Sequence, residues 1–108
     1  MSIELPAPIG FYFASENTHD PSAIEMCFAA DAIVRDEGKT ITGVAAIKAW
    51  RVETGEKYHH TVEPLSVSAL GGKITVRSEV SGQFTGTPIR LDHVFEIEGG
   101  KITALEIR

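Results

Sequence analysis

The chain has 108 residues, 43% hydrophobic and 23% charged, which is enough for one domain with a buried core and too few for two. Its net charge of -5, with ten basic residues scattered among fifteen acidic ones, argues against a nucleic-acid partner. No segment approaches the roughly 18 apolar residues of a membrane helix, and the amino terminus lacks the basic start and apolar stretch of a secretion signal. We therefore expect a cytoplasmic protein with no membrane partner.

Two short helices are predicted near the amino terminus. Prolines precede the segment 9–17, whose apolar and aromatic residues suit one face of a first helix. Asp20 followed by Pro21 is an N-cap with proline at the first helical position, which predicts a second helix that continues through Phe28. Cys27, the single cysteine, lies on that helix, and we interpret it as a core residue.

A buried strand is predicted over residues 32–36, and it delivers an acidic pair, Asp36 and Glu37. A turn at Gly38 and a short strand over residues 39–42 complete a hairpin. Because burial raises the pKa of a carboxyl group at the rim of an apolar pocket, Asp36 is a candidate general base. Glu37, one residue on, should point away. The alternative interpretation is a solvated turn, since Asp-Glu-Gly is ordinary turn chemistry.

A third, amphipathic helix is predicted after Gly43, ending near residues 55–58. Val44, Ile47 and Trp50 recur along it at three-residue steps. Trp50 therefore lies on the apolar stripe, where it either packs in the core or forms the wall of a cavity.

From residue 59 onward the hydrophobic pattern has a period of two, which predicts strands joined by glycine-rich hairpin turns. Gly82, inside a predicted strand, is expected to mark a bend. The predicted strands are 62–70, 73–85, 89–98 and 101–108. The fold class is therefore α+β: three N-terminal helices packed on a curved antiparallel sheet of four long strands, plus the short hairpin.

This order of elements resembles the nuclear transport factor 2-like superfamily, in its SnoaL-like and ketosteroid isomerase-like branch. The segments FAADAIVRDEG, GVAAIKAW and LDHVFEIEGGKITALEI carry the resemblance, which spans almost the whole chain. It implies one cone-shaped SnoaL-like domain over residues 1–108. Function varies widely within this superfamily, so the fold alone does not name a substrate.

The resemblance also implies a set of site residues. Ketosteroid isomerases use a carboxylate base at the end of the first strand, a tyrosine on the first helix and a protonated aspartic acid on the third long strand. This pattern places the catalytic roles on Asp36 within VRDEG, Tyr12 within FYFASENTHD and Asp92 within RLDHVF. The candidate substrate-binding residues are His60, Trp50, Phe13 and Val94.

Alternatives remain open for two of these residues. Strand alternation puts Asp92 on the same face as Arg90, opposite the apolar face that carries His93. Asp92 is then either a hydrogen-bond donor or an ionised partner of Arg90, and an ionised carboxylate cannot donate. Tyr12, flanked by Phe11 and Phe13, is either catalytic or a packed core tyrosine.

The four histidines, at positions 19, 59, 60 and 93, show no metal-ligand spacing, so no metal is predicted. His59 and His60 are consecutive at the start of the strand pattern that begins at residue 59, so they are expected to point to opposite faces, and only one of them can reach a cavity. His60 either orients a substrate or is structural. His93 is predicted to lie in the core or at a subunit interface.

Two functions are compatible with these features. One is a cofactor-independent acid/base isomerase, cyclase or dehydratase, in which Asp36 moves a proton on a small apolar cyclic ketone or polyketide-like compound. The other is a non-catalytic ligand-binding or dimeric interaction module of the same fold, with Asp36 in a salt bridge to Arg35, Arg51 or Arg90. A homodimer through the sheet suits either function, because one strand face is more apolar than three short helices need. That face carries Ile74, Val76, Val80 and Phe84.

Overall fold

The computed structural model describes residues 4–18 and 20–108, so His19 lies outside the described residues. The helical elements are α1 (Ala7–Thr18), a 3-10 turn (Pro21–Ala23), α2 (Ile24–Cys27) and α3 (Val44–Tyr58). The strands are β1 (Phe28–Asp36), β2 (Lys39–Thr42), β3 (Thr61–Leu70), β4 (Lys73–Ser81), β5 (Ile89–Glu98) and β6 (Lys101–Ile107).

The strands form one six-stranded sheet in the order β2-β1-β6-β5-β4-β3. Every neighbouring pair is antiparallel except β1 and β6, which run parallel. The predicted α+β class is confirmed, but the sheet is mixed, and the first hairpin is part of it instead of standing beside it. The parallel pair consists of β1 and β6, which lie far apart in the sequence, so no local sequence pattern predicts their pairing.

Two predicted boundaries are corrected. The second helix ends at Cys27, because Phe28 is extended (φ -102°, ψ 142°) and pairs with Ile102 as the first residue of β1. The strand β4 ends at Ser81, so Gly82 follows the strand instead of bending it. A Cβ at Gly82 would lie 2.7 Å from the Tyr58 carbonyl oxygen. Glycine is needed there because the chain passes against the end of α3.

The core lies between the helices and the inner face of the sheet. On α1, Ile9, Tyr12 and Phe13 are buried, at the i, i+3, i+4 spacing of one helical face. On α3, Ile47 and Trp50 are buried in the same way. Cys27 is fully buried among them, as predicted, and burial raises the pKa of its thiol to about 11. Each fully buried aliphatic or aromatic side chain stabilises the fold by about 1.5–3 kcal/mol.

The outer face of the sheet is charged. Arg77 and Asp92 are directly opposite each other on β4 and β5 and form an ion pair of 3.2 Å, and Glu79 faces Arg90 at 3.9 Å. The apolar residues that suggested a surplus face do not lie here. Val76 and Val80 are in the core, Phe84 lines a cavity, and Ile74 packs against the core. The reason given for a homodimer is therefore wrong, and the homodimer itself stays a prediction.

Candidate functional site

A cavity of about 220 Å³ lies between α1, α3 and the inner face of the sheet. The lining residues of β4, β5 and β6 are apolar except His93, and most of the other polar groups come from α1, α3 and the end of β1 with the turn that follows it. The apolar wall consists of Val80, Phe84, Ile89, Leu91 and Ile107. The cavity therefore combines a largely hydrocarbon surface with a small set of titratable side chains, an arrangement typical of small-molecule sites.

Asp36, the last residue of β1, is half-buried at the rim of this cavity. The indole N–H of Trp50 donates a hydrogen bond of 3.0 Å to its Oδ2 atom. Burial raises the pKa of Asp36 above its usual value; the Trp50 hydrogen bond opposes this rise, and the charge of Glu37 adds to it. Among the described residues no salt bridge to Asp36 is found, so the predicted alternative, a pair with an arginine, is not what the structure contains.

Glu37 also lines the cavity, contrary to the prediction that it points away. Its backbone is left-handed (φ +52°) at the turn between β1 and β2. A turn residue no longer follows the alternation of the strand, so its side chain can fold back over the mouth. The Tyr58 hydroxyl at the end of α3 donates a hydrogen bond of 2.6 Å to its carboxylate.

Four buried polar side chains form a cluster in the cavity: Glu16, Arg51, His60 and His93. Glu16 lies at the centre. Its Oε1 atom is 3.2 Å from Arg51 Nη1 and 3.0 Å from His60 Nε2, and its Oε2 atom is 3.3 Å from His93 Nε2. Burial alone would raise the pKa of Glu16, but hydrogen bonds from the two histidines and the charge of Arg51 lower it well below its usual range. Glu16 is therefore ionised at neutral pH.

Arg51 connects this cluster to the partner of Asp36. Its Nη2 atom donates to Thr54 Oγ1 at 2.8 Å, and its guanidinium carbon lies 4.6 Å from the centre of the Trp50 ring. Burial alone would lower the pKa of Arg51, but Tyr12 and Glu16 raise it overall, so the guanidinium stays charged. The cluster thus contains one fixed negative and one fixed positive charge, with two imidazoles beside them.

The model of the SnoaL-like domain family matches residues 11–105 of this chain. The chain belongs to the SnoaL-like domain family. Protein SMa1630 from Sinorhizobium meliloti, described as a "putative polyketide cyclase", is 39% identical over 96% of this chain and 95% of that chain, with a TM-score of 0.91. No curated protein matches the sequence.

Two more distant structures share the fold. A protein of ketosteroid isomerase-like fold from Catenulispora acidiphila, in complex with trimethylamine, is 23% identical over 97% of this chain and 86% of that chain, with a TM-score of 0.83. A cystatin-fold protein from Novosphingobium aromaticivorans is 14% identical over 99% of each chain, with a TM-score of 0.77. These structures support the fold of the SnoaL-like domain and leave its substrate open.

Three of the residues expected at the site of this SnoaL-like domain line the cavity: Asp36, Trp50 and His60. His59 is exposed and left-handed (φ +46°) at the end of α3, so only His60 of the consecutive pair reaches the cavity, as predicted. His93 is buried, as predicted, and also lines the cavity.

Tyr12 and Phe13 lie behind the cavity instead of on its surface. Tyr12 is fully buried, with edge-to-face contacts to Phe13, Phe28 and Phe95. Burial raises the pKa of its phenol well above the usual value, and the charge of Glu16 adds to that rise. Tyr12 is therefore a packed core tyrosine beneath the charged cluster. Of the two alternatives left open by the sequence, the structure contains this one, and Tyr12 does not lie on the surface of the cavity as the catalytic alternative requires.

Asp92 and Val94 are on the outer face of the sheet. Asp92 is paired with Arg77, and Val94 lines a separate depression on that face. The residue of β5 that faces the cavity between them is His93. Because strand alternation sends neighbouring side chains to opposite faces, a shift of one residue decides which of them can meet a ligand. The expected roles of Asp92 and Val94 are corrected accordingly.

Glu16 was not predicted as a site residue, and Arg51 was considered only as a salt-bridge partner. Both nevertheless leave a signal in the sequence. Glu16 follows Tyr12 by four residues on the buried face of α1, and Arg51 lies four residues after Ile47 on the buried face of α3. A charged residue at a core position of each of two helices is unusual unless the two charges meet.

Within residues 4–18 and 20–108, no group of three or more histidine, cysteine, aspartate or glutamate side chains is arranged to hold a metal ion. None of the described helices has the length and apolar character needed to cross a bilayer.

Proposed function

We propose that this SnoaL-like domain is a cofactor-independent acid/base enzyme. It would move a proton on a small, largely apolar cyclic ketone or polyketide-like compound, with Asp36 as the general base. The observation that carries this proposal is the position of Asp36: a half-buried carboxylate at the rim of a largely apolar cavity, with one oxygen held by Trp50. The raised pKa of Asp36 brings the group closer to the range in which a base works at neutral pH.

The proposed step needs no external reagent. The Asp36 carboxylate removes a proton from the carbon next to the ketone, the electron pair of that C–H bond forms a C=C bond, and the carbonyl π electrons move to oxygen. Return of the proton to another carbon completes an isomerisation. In a cyclase the same carbanion would attack the carbon of a second carbonyl group and form a C–C bond. In a dehydratase its electron pair would form a C=C bond as a hydroxyl group on the adjacent carbon leaves. The hydrocarbon part of the substrate would lie on the apolar wall of the sheet.

Membership of the SnoaL-like family and the name of the Sinorhizobium meliloti protein both agree with this class of chemistry. They support a small-molecule cyclase or isomerase without specifying the compound.

The mouth of the cavity favours a second candidate, a ligand-binding module for small amines. Asp36 and Glu37 lie there with the aromatic rings of Trp50, Tyr58 and Phe84. Carboxylates combined with aromatic rings suit a small organic cation. The Catenulispora acidiphila protein of similar fold is in complex with trimethylamine. A bound cation beside Asp36 would stabilise the charged carboxylate and lower the pKa of Asp36. The general-base candidate, in contrast, uses the raised pKa of the same residue.

Exchange of the α-hydrogens of ketones for deuterium tests the first candidate without knowledge of the natural substrate. Cyclohexanone and 2-tetralone are incubated with the protein in D₂O, and the loss of the α-proton signals is followed by NMR. We expect an acceleration that falls by roughly 10²–10⁴-fold in Asp36→Asn, the contribution typical of a general base. Glu96→Gln, on the exposed outer face of the sheet, is the matched carboxylate-to-amide control.

The result decides between the candidates. An exchange rate in Asp36→Asn equal to that of Glu96→Gln would remove Asp36 from the mechanism. Absence of exchange with both ketones, combined with saturable binding of trimethylamine at the mouth, would replace the enzyme by the binding module.

A further inference from the structure

The burial of the residues that line the cavity shows where it opens. Glu16 and His93 are among the buried ones, which form its closed end. The half-buried or exposed lining residues form its mouth. Among them are Glu37 in the β1–β2 turn, Tyr58 at the end of α3 and Phe84 in the loop after β4. A contact between these three segments can therefore narrow the mouth.

One such contact is the hydrogen bond between Tyr58 and Glu37. The Tyr58 hydroxyl donates to Glu37 Oε1 at 2.6 Å and so connects the end of α3 to the β1–β2 turn. This bond raises the pKa of Tyr58, so the phenol stays protonated and remains a donor at neutral pH. The Tyr58 ring packs edge-on against Phe84, with the ring centres 5.8 Å apart, so Tyr58 links all three segments. A single exposed hydrogen bond has a small net free energy, so it can break and re-form while the core stays intact.

The backbone at Glu37 has a conformation that glutamate does not favour. Glu37 and Gly38 are the two central residues of the hairpin turn between Asp36 and Lys39, and both have positive φ, +52° and +76°. This is the pattern of a type I′ turn, which prefers asparagine, aspartate or glycine at its first central position. A glutamate kept there against its backbone preference indicates that its side chain has a use. The use that the structure offers is the bond to Tyr58.

We propose that Glu37 and Tyr58 form a latch at the mouth of the cavity, and that its opening controls the access of small molecules to Asp36 and Trp50. While the hydrogen bond is formed, the two side chains narrow the mouth. When it breaks, the Glu37 side chain turns out into solvent and a ligand can enter. The latch goes beyond the proposed function, because it acts on any molecule that enters, whether a ketone or an amine. Gates of this kind admit a ligand and then keep bulk water from the groups that act on it.

Trp50, the single tryptophan of the chain, can report on the latch. It is 9% exposed and lines the cavity, with its indole N–H on Asp36. Acrylamide, a small neutral molecule that quenches indole fluorescence on contact, is the probe, and it has to enter the cavity to meet the ring. The quantity measured is the bimolecular quenching constant, obtained from fluorescence lifetimes at increasing acrylamide concentration. This measurement involves no proton transfer at Asp36 and needs no natural ligand.

Two substitutions break the latch from its two sides. Tyr58→Phe keeps the ring and its contact with Phe84 and removes the donor. Glu37→Asn shortens the acceptor side chain and gives the turn a residue that prefers its backbone conformation. Each has a matched control. Tyr12→Phe removes the other tyrosine hydroxyl of the chain, which lies behind the cavity, and Glu98→Asn changes an exposed glutamate at the far end of β5.

We expect each latch variant to raise the quenching constant of Trp50 about three- to tenfold over wild type, the population ratio that one net hydrogen bond supplies. The double variant Tyr58→Phe/Glu37→Asn should rise no further than the single variants, because both break the same bond. The urea unfolding midpoint of Glu37→Asn should equal or exceed that of wild type, since the turn relaxes as the latch opens. Both controls should match wild type.

Any of three results overturns the latch. A quenching constant in either latch variant equal to that of its control would show that the hydrogen bond does not limit access. A double variant whose increase is the product of the two single increases would show that Glu37 and Tyr58 act separately. A urea midpoint of Glu37→Asn below that of Glu98→Asn would show that the contact holds the fold together. None of these results bears on Asp36 as a base, which ketone exchange tests separately.

Discussion

Replacing Arg51 by methionine tests whether the buried cluster is held by charge pairing. The substitution keeps most of the aliphatic stem and removes the guanidinium 3.2 Å from Glu16, whose side chain is 5% exposed. Because it leaves a buried carboxylate without its fixed counter-charge, we expect the free energy of unfolding to fall by about 3–5 kcal/mol. Arg77→Met is the matched control: it breaks a pair of the same length to Asp92, but the Arg77 side chain is 51% exposed. Its cost should be at most about 1 kcal/mol.

Urea denaturation at pH 7 measures both variants. With an m value of about 1.5 kcal/mol/M, the unfolding midpoint should fall by about 2–3 M urea for Arg51→Met and by less than about 0.7 M for Arg77→Met. Equal midpoints for the two variants would refute the argument, because burial would then add nothing to the pair.

The pH dependence supplies an independent check. The pKa of Glu16 is lower in the folded protein than its usual value of 4.5, so the unfolded chain binds more protons below that pH. The stability that this group contributes is therefore fully present above about pH 4.5 and is lost as the pH falls toward the folded-state pKa. In Arg51→Met the lowering of this pKa is smaller, so the difference in stability between wild type and variant should narrow in acid. A constant difference from pH 7 to pH 3 would contradict the assignment to Glu16.

Three further predictions concern single positions. Trp50→Phe removes the hydrogen bond to the Asp36 carboxylate, so the pKa of Asp36, followed by ¹³C NMR, should rise further; a fall would contradict the contact. Gly82→Ala places a Cβ 2.7 Å from a carbonyl oxygen of α3 and should destabilise by about 1–3 kcal/mol, whereas Gly10→Ala meets open space inside α1 and should stabilise by about 0.5–1 kcal/mol. Asp92→Asn should leave ketone exchange within about twofold of wild type, because Asp92 is paired on the outer face; a large loss would return it to the site.

Much of the fold could be predicted from local patterns. The period of two after residue 59 and the glycine turns located the long strands, and β5 was predicted with its observed bounds (Ile89–Glu98). The second helix was predicted to continue through Phe28, one residue too far, because the local sequence gives no reason for the chain to become extended at Phe28. That reason is the pairing of Phe28 with Ile102, a residue near the other end of the chain.

The candidate site was predicted in part. Asp36 was found from its place at the end of a buried strand, and it does line the cavity. Asp92 was taken from a family resemblance, although strand alternation already placed His93 on the apolar face of β5. The alternation was the better guide, because which face a side chain occupies follows from backbone geometry.

The sequence by itself determined the class of the fold, most strands, the buried cysteine and the acid at the end of β1. These depend on spacing, turn residues and burial patterns that are local to each element. Only the tertiary structure decided that β1 pairs with β6 and that Glu16, Arg51, His60 and His93 meet in one cavity. The reason is that α1, α3, β3 and β5 each contribute or adjoin one of these groups, and their separations in space depend on how the helices pack on the completed sheet.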